Sequence, residues 1–225
     1  MQFSVLHYHF RPGGVRRVIE LGLPALMHAA GGVTRVVLAS GEAPDAAWRQ
    51  FMEEQLFPAE VEWLTEPALG YWSEQRVPAE DVRHSIREVL PRLLTPGGIL
   101  WAHNLCVGRN MILARKVAAV SSNAALWLHH HDWWWDGRWE RWPEMRAQRI
   151  DSLEEAVAAT VPSGERVRHF CVNAFDARRL RKWTGLAAGF LPNPMAMDLV
   201  AAEEQEQARD FLRGITGTAA AWVYP

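Results

Sequence analysis

Several short stretches of this chain combine residue types that do chemistry rather than packing. Gly13-Gly14 lies between an apolar run and an amphipathic one, where backbone amides and the positive end of a helix can meet an anion. The pair lacks the fuller spacing of G-x-G-x-x-G or G-x-x-x-x-G-K-[ST], so a tight turn is the competing reading. His103-Asn104 ends one apolar run, and His129-His130-His131-Asp132 ends another. Neutral imidazoles beside an amide and a carboxylate can orient a polar ligand by hydrogen bonding, remain structural, or bind a metal. In an extended strand alternate side chains face opposite ways, so at most two residues of the His129–His131 run reach one ion. Asp132 could add a third ligand, but neither H-E-x-x-H nor a Cys/His quartet is present, and no bound metal is expected.

Two further clusters are less specific. Trp133, Trp134, Trp135, Trp139 and Trp142 crowd one segment that the turn signal Asp136-Gly137-Arg138 interrupts. Half-exposed rings with Arg138 and Arg141 would make a sugar-stacking or membrane-facing lip, while packing beneath the next helix is the alternative. Arg178, Arg179, Arg181 and Lys182 form a basic helix face, read either as solvated or as a contact for anionic lipid or a substrate phosphate.

The elements that must position these groups alternate. Strands are expected over Phe3–His9, Thr34–Ala39, Val61–Leu64, Ile99–His103, Ala124–His129, Val167–Val172 and Ala187–Leu191. Between them, helices are expected from Val15, with Pro24 kinking or ending the first, and over Ala46–Leu56, Ala79–Leu94, Arg109–Val120, Pro143–Ala159, Phe175–Trp183 and Glu203–Leu212. An apolar run, Ala219–Tyr224, closes the chain. This alternation predicts an α/β fold, a mostly parallel Rossmann-like sheet flanked by helices. Ligands of such sheets bind outside the carboxyl ends of the strands, so Gly14, His103 and His131 are expected to share one cleft.

Composition narrows the partners. With 225 residues, 49% hydrophobic, the chain can bury one full core, and a net charge of −2 gives no field that would draw nucleic acid. No apolar run approaches the roughly 20 residues of a membrane span, although peripheral membrane contact stays open. Cys106 and Cys171 are far apart and no export signal precedes them, so two buried thiols and a cytoplasmic location are expected.

In their order along the chain these motifs resemble the retaining GT-B glycosyltransferases of family 4, also called group 1. His9-Phe10-Arg11-Pro12-Gly13-Gly14-Val15-Arg16-Arg17-Val18 looks like that family's opening P-x-x-G-G-V-E-R-V, with Arg16 in place of the frequent Glu. Ile99–Asn104 is similar to its strand ending in H-N, and Leu128–Asp132 to its strand ending in H-D. Val172-Asn173-Ala174-Phe175-Asp176 resembles its V-S-x-x-x segment, and Leu191-Pro192-Asn193-Pro194 with Asp198 resembles P-N-[GP]-x-D. The resemblance implies an N-terminal, acceptor-side domain over residues 1–217. Residues 218–225 would begin the linker and first strand of a C-terminal donor-binding domain, which this chain lacks and without which it would be inactive. Gly13 and Gly14 would lie on the donor diphosphate. His131 would orient the donor sugar, and His103, Asn104, Asp132, Arg138, Asn173 and Asn193 would line the cleft. The partners implied are a nucleotide sugar, as substrate rather than cofactor, and a glycan or small-molecule acceptor. A stand-alone α/β binding module and a metal-dependent hydrolase using His129–Asp132 are the alternatives.

Overall fold

A computed structural model of the chain describes residues 1–121, 125–194 and Asp210. Met1–Pro194 form one compact unit. Met195–Pro225 form a second, in which Asp210, helical, is the described residue. Asp198, the run Ala219–Tyr224, the boundary at 218 and, Asp210 apart, the expected helix Glu203–Leu212 lie outside the described residues.

The first unit is built on seven strands: β1 (Gln2–Leu6), β2 (Arg35–Ser40), β3 (Glu60–Thr65), β4 (Ile99–His103), β5 (Ala125–His130), β6 (Val167–Cys171) and β7 (Ala188–Phe190). They pair in the order β3-β2-β1-β4-β5-β6-β7, every neighbour parallel. The expected parallel α/β sheet is therefore the fold. Runs such as Val36-Val37-Leu38-Ala39 carry no polar alternation because helices cover both sheet faces and bury both sets of side chains.

The helices are α1 (Gly14–Ala30), α2 (Ala46–Leu56), α3 (Ala79–Leu93), α4 (Met111–Ala119), α5 (Trp142–Ala147), α6 (Leu153–Thr160) and α7 (Ala174–Thr184). On one face, Phe3, Val5 and Trp101 of the sheet pack with Val18, Ile19 and Leu23 of α1 and with Trp48, Met52 and Leu56 of α2. On the other, Leu6, Leu100, Leu126 and Leu128 pack with Val82 and Ile86 of α3, Ile112 and Val117 of α4 and Ala156 of α6. Each of these large side chains adds about 1.5–3 kcal/mol on burial, and together they hold the two helix layers to the sheet.

Two expectations are corrected. Pro24, expected to kink or end the first helix, does not end it: it lies inside α1, which continues to Ala30. Proline removes one backbone donor, but residues on both sides of it, Val18, Ile19 and Leu23 before and Leu26 and Met27 after, pack on the same core and keep the helix together. The single helix expected over Pro143–Ala159 is two, separated at Arg149, whose φ is 62°. The buried Gln148 accepts from the Met111 amide at 2.6 Å, and Arg115 donates to the carbonyls of Gln148 and Arg149 at 2.6 and 2.9 Å. Tertiary partners thus take the backbone and side-chain groups that a continuous helix would need, and Ser152 caps a new one by accepting from the Glu155 amide.

The chain starts at β1, runs outward to β3, then crosses back to β4 and proceeds in the other direction. Connections leave β1 and β4 toward opposite edges, which opens a crevice at their carboxyl ends.

Candidate functional site

At that crevice the odd-numbered positions of three adjacent strands present histidines. Phe3 and Val5 of β1 and Trp101 of β4 face α1, and period-two alternation puts His7, His9 and His103 on the same side. His103 is in register with His129, and β1 runs beside β4 with Leu6 opposite Ala102, so His7, His103 and His129 form a cross-strand row. His131 follows two residues after His129. The ring centroids lie 6.3 Å apart for His7 and His103, 5.2 Å for His103 and His129, and 4.4 Å for His129 and His131.

The contacts are specific. His103 Nδ1 is 3.1 Å from His131 Nε2, and His7 Nδ1 donates to the His103 carbonyl at 3.4 Å. His129 Nε2–H donates to the Leu191 carbonyl at 3.1 Å, which leaves Nδ1 as the lone-pair nitrogen; that atom is buried without a protein partner, as is His103 Nε2. Trp101 floors the group, 4.2 Å from the His103 ring and 5.8 Å from that of His129. His9 Nε2 meets the Tyr71 hydroxyl at 3.0 Å. Burial, reinforced by neighbouring histidines, holds His103 and His131 well below the usual imidazole range. It lowers His7 to about 3, with His9 adding to the effect, and His129 to about 4. The row is neutral at physiological pH.

His130 points to the opposite face, as alternation requires. Its Nε2–H donates to His169 Nδ1 at 2.9 Å, and His169 Nε2–H donates to the Pro162 carbonyl at 2.9 Å. This pair belongs to the structure of the far side, stacked against Trp133.

Asn104, Asp132 and Arg138 come together beside the row. Asn104 Oδ1 accepts from the Asp132 amide at 3.0 Å, its Nδ2 donates to Asp132 Oδ2 at 3.3 Å, and Arg138 donates to Asp132 Oδ1 at 2.7 Å. Asn104 also holds φ 60°, ψ 24°, the left-handed region that asparagine tolerates better than other side chains. The clamp ties the ends of β4 and β5 and fixes where His103 and His131 stand. Asn104→Ala is expected to lose about 2–3 kcal/mol in urea unfolding, from left-handed strain and the unpaired, part-buried Asp132 amide. Asn104→Gly, which relieves the strain only, should recover about 1 kcal/mol of that.

The other residues singled out from sequence fall in different places. Gly13 precedes α1 and Gly14 begins it, after β1 and at the carboxyl edge of the sheet. Asn173 is exposed and caps α7, its Oδ1 accepting from the Asp176 amide at 2.8 Å and its Nδ2 donating to the Asp176 carboxylate at 2.7 Å. Asn193 is exposed on the segment after β7, in which Leu191 and Pro194 turn back to line a pocket with Gly22 and Trp101. Trp133 and Trp134 are buried, and only Trp139 of the tryptophan-rich segment is largely exposed, so packing rather than a continuous lip accounts for it. Cys106 and Cys171 are buried and free. Among the described residues no helix is long and apolar enough to cross a membrane.

Sequence reading missed His7, His9 and Tyr71. A signal existed for the first two: they are spaced like His129 and His131 and end a strand in the same way. Tyr71 arrives from the loop after β3 and carried none.

No protein-family model and no curated protein matches this chain. Among solved structures it is similar to the N-terminal domain of trehalose-6-phosphate phosphatase from Candida albicans, with a TM-score of 0.45 and 10% identity over 95% of this chain. The chain spans about half, 54%, of the length of that structure.

Proposed function

We propose that this chain is the acceptor-side domain of a GT-B-type glycosyltransferase, with the donor diphosphate on the amino terminus of α1 and the donor sugar against His131. The observation that carries the reading is the α1 terminus. Among the described α-helices it is the one with neither a side-chain cap nor an acidic residue in its first turn; α2, α4, α6 and α7 are capped by side chains, and α3 and α5 carry first-turn carboxylates. Its first amides, which no helix satisfies internally, thus have no side-chain cap either and face the sheet's carboxyl edge with the positive end of the dipole. A Cβ at Gly14 would meet no protein atom within 4 Å, and one at Gly13 only the Arg11 carbonyl at 3.8 Å. Neither glycine has the positive φ that would demand it, since Gly13 is extended and Gly14 helical. Packing and backbone strain thus give no reason for two glycines here, whereas close approach of a ligand phosphate to the amides does.

In retaining transfer the bond from the anomeric carbon to the diphosphate oxygen breaks and a bond to the acceptor oxygen forms. The acceptor proton passes to a departing phosphate oxygen, so the site needs no pair of enzymic carboxylates. The amides of α1 stabilise the charge that grows on the diphosphate, and cations of a facing donor-binding domain complete that stabilisation. His131, neutral and partly exposed at the open end of the row, orients the sugar by hydrogen bonding. His103 and the Asn104–Asp132–Arg138 clamp hold it in place.

Gly14→Ala separates this reading from a structural turn. It is expected to leave the melting temperature unchanged or raised, since alanine is favoured over glycine in a helix by up to about 1 kcal/mol. The same change should weaken nucleoside-diphosphate binding by about 10-fold or more. Titration followed by the Gly13, Gly14 and Val15 amide resonances measures it on the isolated chain, where affinity near the millimolar range is expected from a single phosphate contact. Wild-type amides that do not respond to uridine, guanosine or adenosine diphosphates, or their sugars, would remove the proposal.

A further inference from the structure

We propose that His103, His129 and His131 form a binding site for one divalent metal ion of the zinc class. Alternation along β5 allows His129 and His131 but not His130 to reach one ion, as the sequence suggested. The register of β4 beside β5 then brings in His103, so the ligand count that argued against a metal rises from two to three. One ring nitrogen from each of the three lies within 4.8 Å of the others. The distance from His103 Nδ1 to His131 Nε2, 3.1 Å, is close to the roughly 3.3 Å edge of a tetrahedron with zinc–nitrogen bonds of about 2.0–2.1 Å.

The tautomer of His129 points the same way. Its Nε2–H is held by the Leu191 carbonyl, the outer-shell arrangement that orients a ligating imidazole, and the lone pair on Nδ1 is buried with no protein donor to satisfy it. A buried acceptor without a donor costs about 1–3 kcal/mol, which a metal ion would remove. Three neutral imidazoles leave one coordination position for water or a ligand oxygen, on the side of His131, the partly exposed member of the set. Imidazole donors without thiolate or a carboxylate in the first shell suit zinc, and cobalt(II) can stand in for it as a probe.

The inference does not rest on glycosyl transfer. A metal can be bound whether or not the α1 terminus takes a phosphate, and the two are read by different measurements. Tag-free protein stripped with chelator and dialysed is titrated with cobalt(II) and then with zinc. The expected result is the visible absorption of four-coordinate cobalt, saturating at one equivalent and displaced by zinc, with a dissociation constant of about 1 μM or tighter. His129→Ala and His131→Ala should each weaken binding by about 100-fold or more, at least the effect of losing an outer-shell partner. A His28→Ala/His84→Ala variant, altering two exposed histidines, should bind like wild type. Because loss of a buried imidazole can compromise folding, the histidine 15N resonances of wild type are followed in parallel. Zinc should move three of the nine imidazoles and leave the His130–His169 pair unchanged. Absence of the cobalt band, a band that survives both substitutions, or zinc shifts confined to other histidines would overturn the assignment.

Discussion

Acidification from pH 7 toward pH 4 in the presence of chelator is expected to unfold this protein cooperatively. His7 and His129, almost wholly buried, are lowered to about 3 and about 4, while in the unfolded chain each returns to about 6.5. Between those limits the unfolded state binds more protons than the folded state, so stability is fully present above pH 6.5 and is lost as pH falls. Each such group removes about 1.4 kcal/mol per pH unit, and the two together remove roughly 5 kcal/mol by pH 4.5. That is comparable with the whole stability of an ordinary domain, about 5–15 kcal/mol. His103, His130 and His131, also held low by burial, act in the same direction. Urea unfolding followed by circular dichroism from pH 7.5 to 5 reads the slope as the number of protons taken up. A His7→Gln variant should take up about one proton fewer. A stability that does not change between pH 7 and pH 5 would show that the histidine row is not buried neutral.

The second large effect is on catalysis. If the chain acts as proposed, then in an assembly completed by a donor-binding domain His131→Ala is expected to lower kcat by about 10²-fold or more, as for removal of a preorganised group acting on transition-state charge. KM for the donor should change less, because the proposed diphosphate contact lies on α1. His131→Asn, which keeps a donor near the same place, should recover part of the loss. The informative comparison is His130→Ala. That residue is adjacent in sequence but faces His169 on the far side of the sheet, so its loss should lower stability and spare kcat. Equal turnover for His131→Ala and wild type, with unchanged circular dichroism, would make His131 structural. Equal losses from both substitutions would point to a general effect on folding.

Much of this molecule is legible in the residues alone. Ile99–His103 and Ala46–Leu56 can be read to the residue, because strong apolar patterning coincides with unmistakable stops: Pro96-Gly97-Gly98 before the strand, and Asp45 as cap before the helix. The alternation of such runs implies the parallel sheet, and the location of ligand chemistry at the strand ends follows from it. Where local signals compete, sequence reading fails. Pro24 reads as a helix breaker, yet packing on both sides of it outweighs the lost backbone bond. Pro143–Ala159 reads as one helix, although Ser152 and Glu155 carry the signature of a capped start; what ends the preceding helix is Gln148 capping α4, a contact across 37 residues.

The site divides in the same way. Period-two alternation by itself separates His130 from His129 and His131, because a strand's side chains must take opposite faces whatever surrounds them. Which strand lies beside β5, and in what register, depends on long-range pairing that no local pattern encodes. Pairing with β4 sets His103 opposite His129, and pairing of β4 with β1 extends the row to His7. A tertiary contact likewise brings the Leu191 carbonyl to His129 across 62 residues. The sequence therefore determined which residues stand at the strand ends and on which face. Only the tertiary structure decided which of them meet, because hydrogen-bonded register and burial are properties of segments distant in the chain.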